Sequence, residues 1–171
     1  MTGADDQEID MESTATASMG EHVIVGNHFD HDGQSSFSMT LSGTGVGRHS
    51  YSVIELNAAI GGAVQGLDVQ NTIVASNLVV WTGHPFDGDP AMKFQERIDG
   101  LAILGNQIYV ESDMTTGNIC LDMVEGSGGS NHRSTVAGNI FVRRAIAAKV
   151  TDFETQNELL FANNYVRLDA D

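Results

Sequence analysis

The segment Ile103-Leu104-Gly105-Asn106-Gln107-Ile108 sets a pattern that recurs along the chain. An aliphatic residue lies three positions before the asparagine, a small residue directly before it, and an apolar residue two positions after it. A repeated unit of this kind is typical of a solenoid, because one unit cannot bury its own apolar face and must stack on its neighbours. The pattern surrounds five asparagines, which are Asn27, Asn77, Asn106, Asn139 and Asn163.

These anchors are separated by 50, 29, 33 and 24 residues. The spacing predicts coils of about 20 residues or slightly more, with loops of varying length inserted. The interval of 50 residues has room for an additional hairpin or coil. Each interval also contains a second run in which apolar and mixed positions alternate, as they do in half-buried strands. These runs are residues 52–56, 91–94, 118–121 and 146–150.

We expect each anchor asparagine to occupy a sharp turn between two strands. Asparagine tolerates the left-handed backbone region and its amide forms local hydrogen bonds, and the small residue before it leaves room at the bend. If successive coils stack, the asparagine amides can bond to one another along the solenoid axis. An antiparallel β-sandwich with coincidental Gly-Asn turns is the alternative.

The repeat resembles those of right-handed parallel β-helix proteins, a group that includes pectate-lyase-like enzymes, viral tailspikes and other virion fibres. The resemblance covers residues 20–168. It implies an all-β fold, a single-stranded right-handed parallel β-helix of about five to seven coils. Residues 1–19 are acidic and then rich in Ser, Thr and Ala, so we expect a flexible N-terminal arm, with residues 20–171 as the β-helix domain.

The charge of the chain is strongly negative. Its 171 residues include 23 Asp and Glu but only eight Lys and Arg, giving a formal net charge of −15. Nucleic acids and anionic membranes are bound by clustered basic residues, so neither is an expected partner. An acidic excess with few lysines is typical of proteins from high-salt environments, where charge repulsion is screened. A moderately acidic protein from an ordinary environment is the alternative.

The remaining composition narrows the class further. Cys120 is the only cysteine, which excludes an intrachain disulfide, and its apolar surroundings predict burial. No apolar run approaches the ~18 residues of a membrane-spanning helix. Residues 1–12 are polar and acidic, so no signal peptide is visible.

The resemblance to pectate-lyase-like enzymes directs attention to catalytic motifs. Arg97-Ile98-Asp99 lacks the final basic residue of the Arg-Ile-Lys-type tripeptide with which hydrolases of that group bind substrate. Their Asn-Thr-Asp, paired Asp and Gly-His-Gly sequences do not occur in the repeats. We therefore assign no catalytic residue and expect no cofactor.

Three residues are candidate contacts to a glycan or a cation: Trp81, Asp87 and Asp89. The two carboxylates lie in a loop, residues 84–90, that contains two prolines and a glycine. Carboxylates in such loops usually form turns, although they can hold a weakly bound cation. The tryptophan either packs inward or, if it is exposed, stacks on a sugar ring.

Other polar segments are weaker candidates. In an extended segment His28, Asp30 and Asp32 would share one face and could hold a divalent ion, but no fourth ligand is evident. A solvated strand end is the alternative, and no metal site is predicted. The Gly-rich residues 125–133 lack the lysine of a phosphate-binding loop and predict a flexible insertion. One of Arg143 and Arg144 must point outward, where pairing with carboxylates is expected.

These observations favour a non-catalytic structural or adhesion protein. By resemblance it would be a virion component, such as a tail spike, fibre or capsid-surface protrusion, located at the surface of a virion or extracellular particle from a high-salt environment. The expected partners are further copies, with a homotrimer favoured, or other virion proteins, and a surface glycan is an additional option. The alternative is a carbohydrate-active enzyme, either a polysaccharide lyase or a glycoside hydrolase. A structural oligomer should carry an apolar stripe on its outward face, whereas an enzyme should bring carboxylates together on adjacent coils.

Overall fold

The strands follow one another without an intervening helix in the part of the chain that the structure describes. A computed structural model describes residues 9–12, 19–30, 37–42, 49–81, 90–111, 119–125, 131–144, 151–153 and 156–169. Its strands are β1 (Ile9–Glu12), β2 (Met19–Gly20), β3 (Val23–Val25), β4 (His28–Asp30), β5 (Phe37–Ser42), β6 (His49–Ser50), β7 (Val53–Glu55), β8 (Ala58–Ile60), β9 (Ala63–Leu67), β10 (Val69–Gln70), β11 (Ile73–Ala75), β12 (Leu78–Trp81), β13 (Met92–Glu96), β14 (Ala102–Leu104), β15 (Gln107–Val110), β16 (Leu121–Glu125), β17 (Asn131–Ala137), β18 (Ile140–Arg144), β19 (Thr151–Phe153), β20 (Gln156–Ala162) and β21 (Tyr165–Asp169).

These strands form three sheets of six strands and one short sheet. Sheet A has the order β1-β5-β9-β13-β16-β19, sheet B β3-β7-β11-β14-β17-β20, and sheet C β4-β8-β12-β15-β18-β21, while β2, β6 and β10 form the short sheet. The pairings are parallel, and neighbouring strands come from successive passes of the chain. The chain therefore runs from sheet A to sheet B to sheet C six times, and the passes stack as a β-solenoid. The predicted all-β parallel solenoid is confirmed, and its right-handed sense stays a prediction that the usual hand of parallel crossovers favours.

Rows of apolar side chains, one from each pass, fill the interior. In sheet B the row is Ile24, Ile54, Val74, Ile103 and Val136, and in sheet C it is Phe29, Ala59, Val79, Ile108 and Phe141. Sheet A adds methionines and a large ring beside a glycine. A Cβ at Gly66 would lie 2.6 Å from the ring of Phe94 on the next strand, so the glycine leaves the space that the ring fills.

The solenoid begins earlier than residue 20. Strand β1, which falls in the segment predicted as an arm, pairs with β5, and its Ile9 and Met11 pack against the core. Strand β2 pairs with β6. The predicted boundary between arm and β-helix therefore does not hold for these strands. Of the second runs, 52–56, 91–94 and 118–121 overlap β7, β13 and β16; residues 1–8, 13–18 and 146–150 lie outside the described part of the chain.

Candidate functional site

Two left-handed corner residues bound the same short segment in every strand of sheet B, and in β17 and β20 the first of them lies within the strand. The first-corner residues are Glu21, Tyr51, Asn71, Gly100, Arg133 and Glu158, and the second-corner residues are Gly26, Leu56, Ser76, Gly105, Gly138 and Asn163. Each second-corner residue follows its first-corner residue by five positions, and their φ angles lie between 48° and 72°. Because of this constant spacing, the sheet B segment has the same length in every pass, and equivalent side chains align along the stack.

A ladder of asparagine side chains runs along the second corner. In each pass the backbone N–H and the Nδ2 of the asparagine both donate to the Oδ1 of the asparagine in the next pass, at 2.9–3.0 Å. From the second pass onward, Nδ2 also donates to a backbone carbonyl of the preceding pass. The ladder consists of Asn27, Asn57, Asn77, Asn106, Asn139 and Asn164.

The ladder corrects the sequence prediction in three respects. Asn163 is not an anchor, because it occupies the left-handed second corner (φ 54°) and Asn164 accepts the hydrogen bonds from Asn139. Asn57 is an additional member. The left-handed conformation belongs to the residue before each ladder asparagine rather than to the asparagine itself, so the small residues there relieve backbone strain. The other anchors, Asn27, Asn77, Asn106 and Asn139, lie in the ladder.

The outer face of sheet B is almost free of charge. Between its two left-handed corners each of the six strands has two outward positions, which gives twelve side chains. Ten are aliphatic, one is Thr135, and Glu55 is the one charged residue among them. Val23 is 69%, Val25 43% and Leu160 56% exposed. We call this surface the sheet B face; its outward residues are Val23, Val25, Val53, Glu55, Ile73, Ala75, Ala102, Leu104, Thr135, Ala137, Leu160 and Ala162.

The other two sheets carry more polar outer faces. One row of sheet A that points away from the core contains Thr40, Gln65, Lys93 and Asp122 at matched positions. Thr40 and Gln65 are buried, whereas Lys93 and Asp122 are half-buried. Sheet C presents apolar residues in its middle passes but has exposed His28 and Asp30 in the first pass and exposed Arg167 in the sixth. The sheet B face is therefore the least charged of the three outer faces in the described strands.

The sixth pass also leaves apolar side chains uncovered. Phe161, Val166 and Leu168 occupy the positions of the buried residues one pass earlier, yet they are 42%, 46% and 50% exposed. At the opposite end of the stack, Ile24 and Phe29 are only 3% and 8% exposed. The two ends of the described solenoid thus differ in apolar exposure.

Of the three candidate glycan and cation contacts, Trp81 is the one that lies within the described residues. Trp81 is 1% exposed and packs in the core, so the inward alternative applies and stacking on a sugar is excluded. Asp87, Asp89 and Asp32 lie outside the described residues. His28 and Asp30 are exposed on the outer face of β4, and the described residues contain no group of three side chains that could hold a metal ion.

The Arg97-Ile98-Asp99 segment is structural. Arg97 Nε donates to Asp68 Oδ1 at 2.5 Å, and this hydrogen bond to a mostly buried carboxylate raises the pKa of Arg97. Ile98 is buried. Asp99 accepts two hydrogen bonds from Arg133, at 2.9 and 2.7 Å, and these raise the pKa of that guanidinium.

A buried arginine lies beside the single cysteine. Arg143 points inward, is 1% exposed, and continues the interior row of Trp81 and Val110. Burial lowers its pKa. Cys120 is buried as predicted, with Sγ 3.5 Å from the carbonyl oxygen of Val142, and burial raises the pKa of its thiol to about 12. Arg143 is thus an interior residue, and its guanidinium does not point outward to the surface.

A shallow groove lies on the outer side of sheet C towards the sixth pass. Its volume is about 400 Å³. Its lining combines aliphatic, aromatic, acidic and basic side chains. The lining residues are Tyr109, Val110, Glu111, Ile140, Val142, Tyr165 and Arg167.

Comparisons with known proteins give no match to a family model, a curated protein or a solved structure. In the described residues no helix is long and apolar enough to cross a membrane. The candidate functional site is therefore defined by geometry, and it is the sheet B face.

Proposed function

We propose that this chain is a non-catalytic structural protein that associates with further copies of itself through the sheet B face. One observation carries the proposal: an ordered face with one charged residue among twelve, on a chain of net charge −15. Contiguous exposed apolar surface is rare on monomers and usually marks an interface. Burial of apolar surface gives about 25 cal/mol per Å², so covering this face stabilises the assembly.

The distribution of charge supports a copy of the same chain as partner. An acidic surface repels an identical one, so identical chains approach most easily where charge is lowest. Salt limits the range of that repulsion to about 10 Å at 0.1 M and to about 3 Å at 1 M. Association is therefore expected to strengthen as salt rises, in keeping with a protein from a high-salt environment.

The biological setting follows from the resemblance to fibre-type β-helices. We propose a component of a virion or extracellular particle surface, in which the solenoid forms part of a spike, fibre or protrusion. Homotrimers are common among the fibre-type proteins that the repeat resembles, whereas the stoichiometry of this chain depends on its own sheet B face. Other virion proteins are further proposed partners.

A second candidate function is action on a surface glycan, which the groove on sheet C favours. Tyr109 and Tyr165 offer aromatic faces to a sugar ring, and Glu111 and Arg167 offer hydrogen bonds to its hydroxyls. If the chain is a carbohydrate-active enzyme in which the Glu111 carboxyl acts as acid or base, E111Q should abolish cleavage of acidic polysaccharides without changing the melting temperature. Unchanged cleavage by E111Q would remove this groove from consideration.

The experiment for the structural function compares matched charge changes on two faces. Ile73→Glu adds a charge to the centre of the sheet B face, and Gln95→Glu adds the same charge to sheet A. Light scattering in molar NaCl should show an oligomer for the wild type and Q95E, and a monomer for I73E. A wild-type monomer in molar salt at every concentration, or an I73E oligomer of unchanged mass, would overturn the proposal.

A further inference from the structure

The four outward residues at the centre of the sheet B face alternate in size. Ile73 and Ala75 stand on β11, and Ala102 and Leu104 stand at the matching positions on β14. The two large side chains therefore occupy opposite corners of a square, and the two small ones occupy the remaining corners. When a second copy of this square is laid on the first with the order of its two strands reversed, each large side chain meets a small one.

A two-fold axis parallel to the strands, between β11 and β14, brings the two large side chains of this square onto its two small ones. It lays Ile73 on Ala102 of the second copy and Leu104 on Ala75 of the second copy. Each contact occurs twice, because a two-fold interface uses the same patch on both chains. We propose that two copies of this chain pack through their sheet B faces in this orientation, with the third pass on the fourth, the second on the fifth and the first on the sixth. The proposal rests on the structural function above and adds stoichiometry and orientation.

The corners of the second and fifth passes agree with this pairing. Leu56, which is 60% exposed, would lie over Gly138, a residue without a side chain. Tyr51, which is 65% exposed, would face Arg133, whose side chain is 62% exposed. A guanidinium over a tyrosine ring is attractive.

Area and charge indicate a reversible dimer. Six strands about 4.8 Å apart, each about six residues wide between corners, give a flat area of roughly 500 Å² per copy. A standard interface takes about 800 Å² from each partner, so concentration should govern association. Glu21 would lie near Glu158 of the second copy at the rim, and this repulsion adds to the requirement for salt.

A three-fold arrangement about the stack axis fits these sizes less well. It would bring passes together at equal heights and lay sheet B of one chain on sheet C of the next. Leu104 would then lie at the height of Gln107 and Tyr109, and Ile73 at the height of Leu78 and Val80. No small residue would receive either large one.

The test exchanges large and small residues without changing charge. Sedimentation velocity in molar NaCl over a concentration series should show monomer and dimer for the wild type. Ala75→Leu should weaken dimerisation by about tenfold or more through overpacking, and A75L/L104A should restore it. Ala58→Leu adds the same volume on sheet C and should leave the dissociation constant unchanged.

A second exchange, I73A/A102I, tests the other pair of corners and should also retain the dimer. Melting curves establish that each variant is folded. A trimer, or a dimer indifferent to A75L, would overturn this inference and leave the structural function standing. A monomer under every condition would overturn both.

Discussion

Asn106 Oδ1 accepts two hydrogen bonds from Asn77, one from its backbone N–H and one from Nδ2, each 2.9 Å long. The same pair of bonds joins every two successive passes. The four inner asparagines are at most 2% exposed, so water cannot replace a lost partner. A buried amide without a partner costs about 1–3 kcal/mol, and the ladder therefore fixes the register of the passes.

Removing an inner rung should destabilise the whole stack. Asn106→Ala removes the acceptor for two buried donors of Asn77, and it removes the two donations of its own Nδ2. We expect a loss of about 2–4 kcal/mol in the free energy of unfolding. Urea unfolding followed by circular dichroism measures it.

The matched control is Asn163→Gly, at the position that the sequence pattern indicated wrongly. Asn163 is exposed and left-handed, and glycine adopts that conformation without strain. N163G should keep or slightly raise stability. A loss in N163G comparable with that in N106A would contradict the assignment of the ladder to Asn164.

The backbone of Leu56 at the second corner is strained, and replacement by glycine should relieve that strain. Leu56 has a φ of 56° and is 60% exposed, so its side chain gains little from packing in the single chain. The left-handed region costs a residue with a Cβ about 1–2 kcal/mol. Leu56→Gly should therefore raise the melting temperature of dilute protein at low salt, where copies do not associate, whereas Gly105→Leu should lower it. The reverse order would show that the corner does not carry the strain.

The two arginine–aspartate pairs should differ in their contribution to stability. The side chain of Asp68 is 8% exposed, and Arg97→Met would remove the guanidinium that pairs with it. We expect this change to lower the free energy of unfolding by about 2 kcal/mol. Asp99 would lose two hydrogen bonds in Arg133→Met, but that arginine side chain is 62% exposed and solvent screens the pair. Thermal unfolding should separate R97M from a nearly unaffected R133M. Equal losses would contradict the difference in burial.

The thiol of Cys120 should make stability depend on alkaline pH. Its pKa rises from 9.0 to about 12 on burial. Below pH 9 the thiol is protonated in the folded and in the unfolded chain, so its contribution to the free energy of unfolding is fully present. Between 9 and 12 only the unfolded chain loses this proton, and the contribution falls by about 1.4 kcal/mol per pH unit.

Unfolding curves of the wild type and Cys120→Ala from pH 8 to 10.5 measure this contribution. Other groups titrate in both proteins, so the difference between the two slopes isolates the thiol. The wild type should lose stability faster than C120A above pH 9. Parallel slopes would contradict a buried, protonated thiol.

The five asparagine anchors were enough to predict a stacked solenoid and most of its asparagine ladder. Four of them lie in the ladder because inward packing requires an aliphatic residue three positions before and an apolar residue two positions after. Asn57 escaped the pattern because Leu56 is not small. The pair Asn163-Asn164 misled it, since either asparagine fits a turn and only the pairing of β17 with β20 decides between them.

The sheet B face was harder to predict, because the repeat pattern describes inward-facing residues and the search for a functional site considered polar side chains. The signal was present in unbroken apolar runs such as Val23-Ile24-Val25 and Ala102-Ile103-Leu104. A strand that is apolar on both sides is covered on both faces in most parallel sheets. The constant five-residue interval between corners was hidden, because left-handed positions accept Glu, Tyr and Arg here as well as Gly.

The most direct test of the central claim is the absolute mass of the wild-type chain by light scattering, at molar NaCl and again at low salt. A face with a single charged residue on an acidic chain predicts an oligomer at molar salt that dissociates as salt is removed. A compact monomer under both conditions, unchanged by concentration, would contradict the claim that the sheet B face holds copies of this protein together.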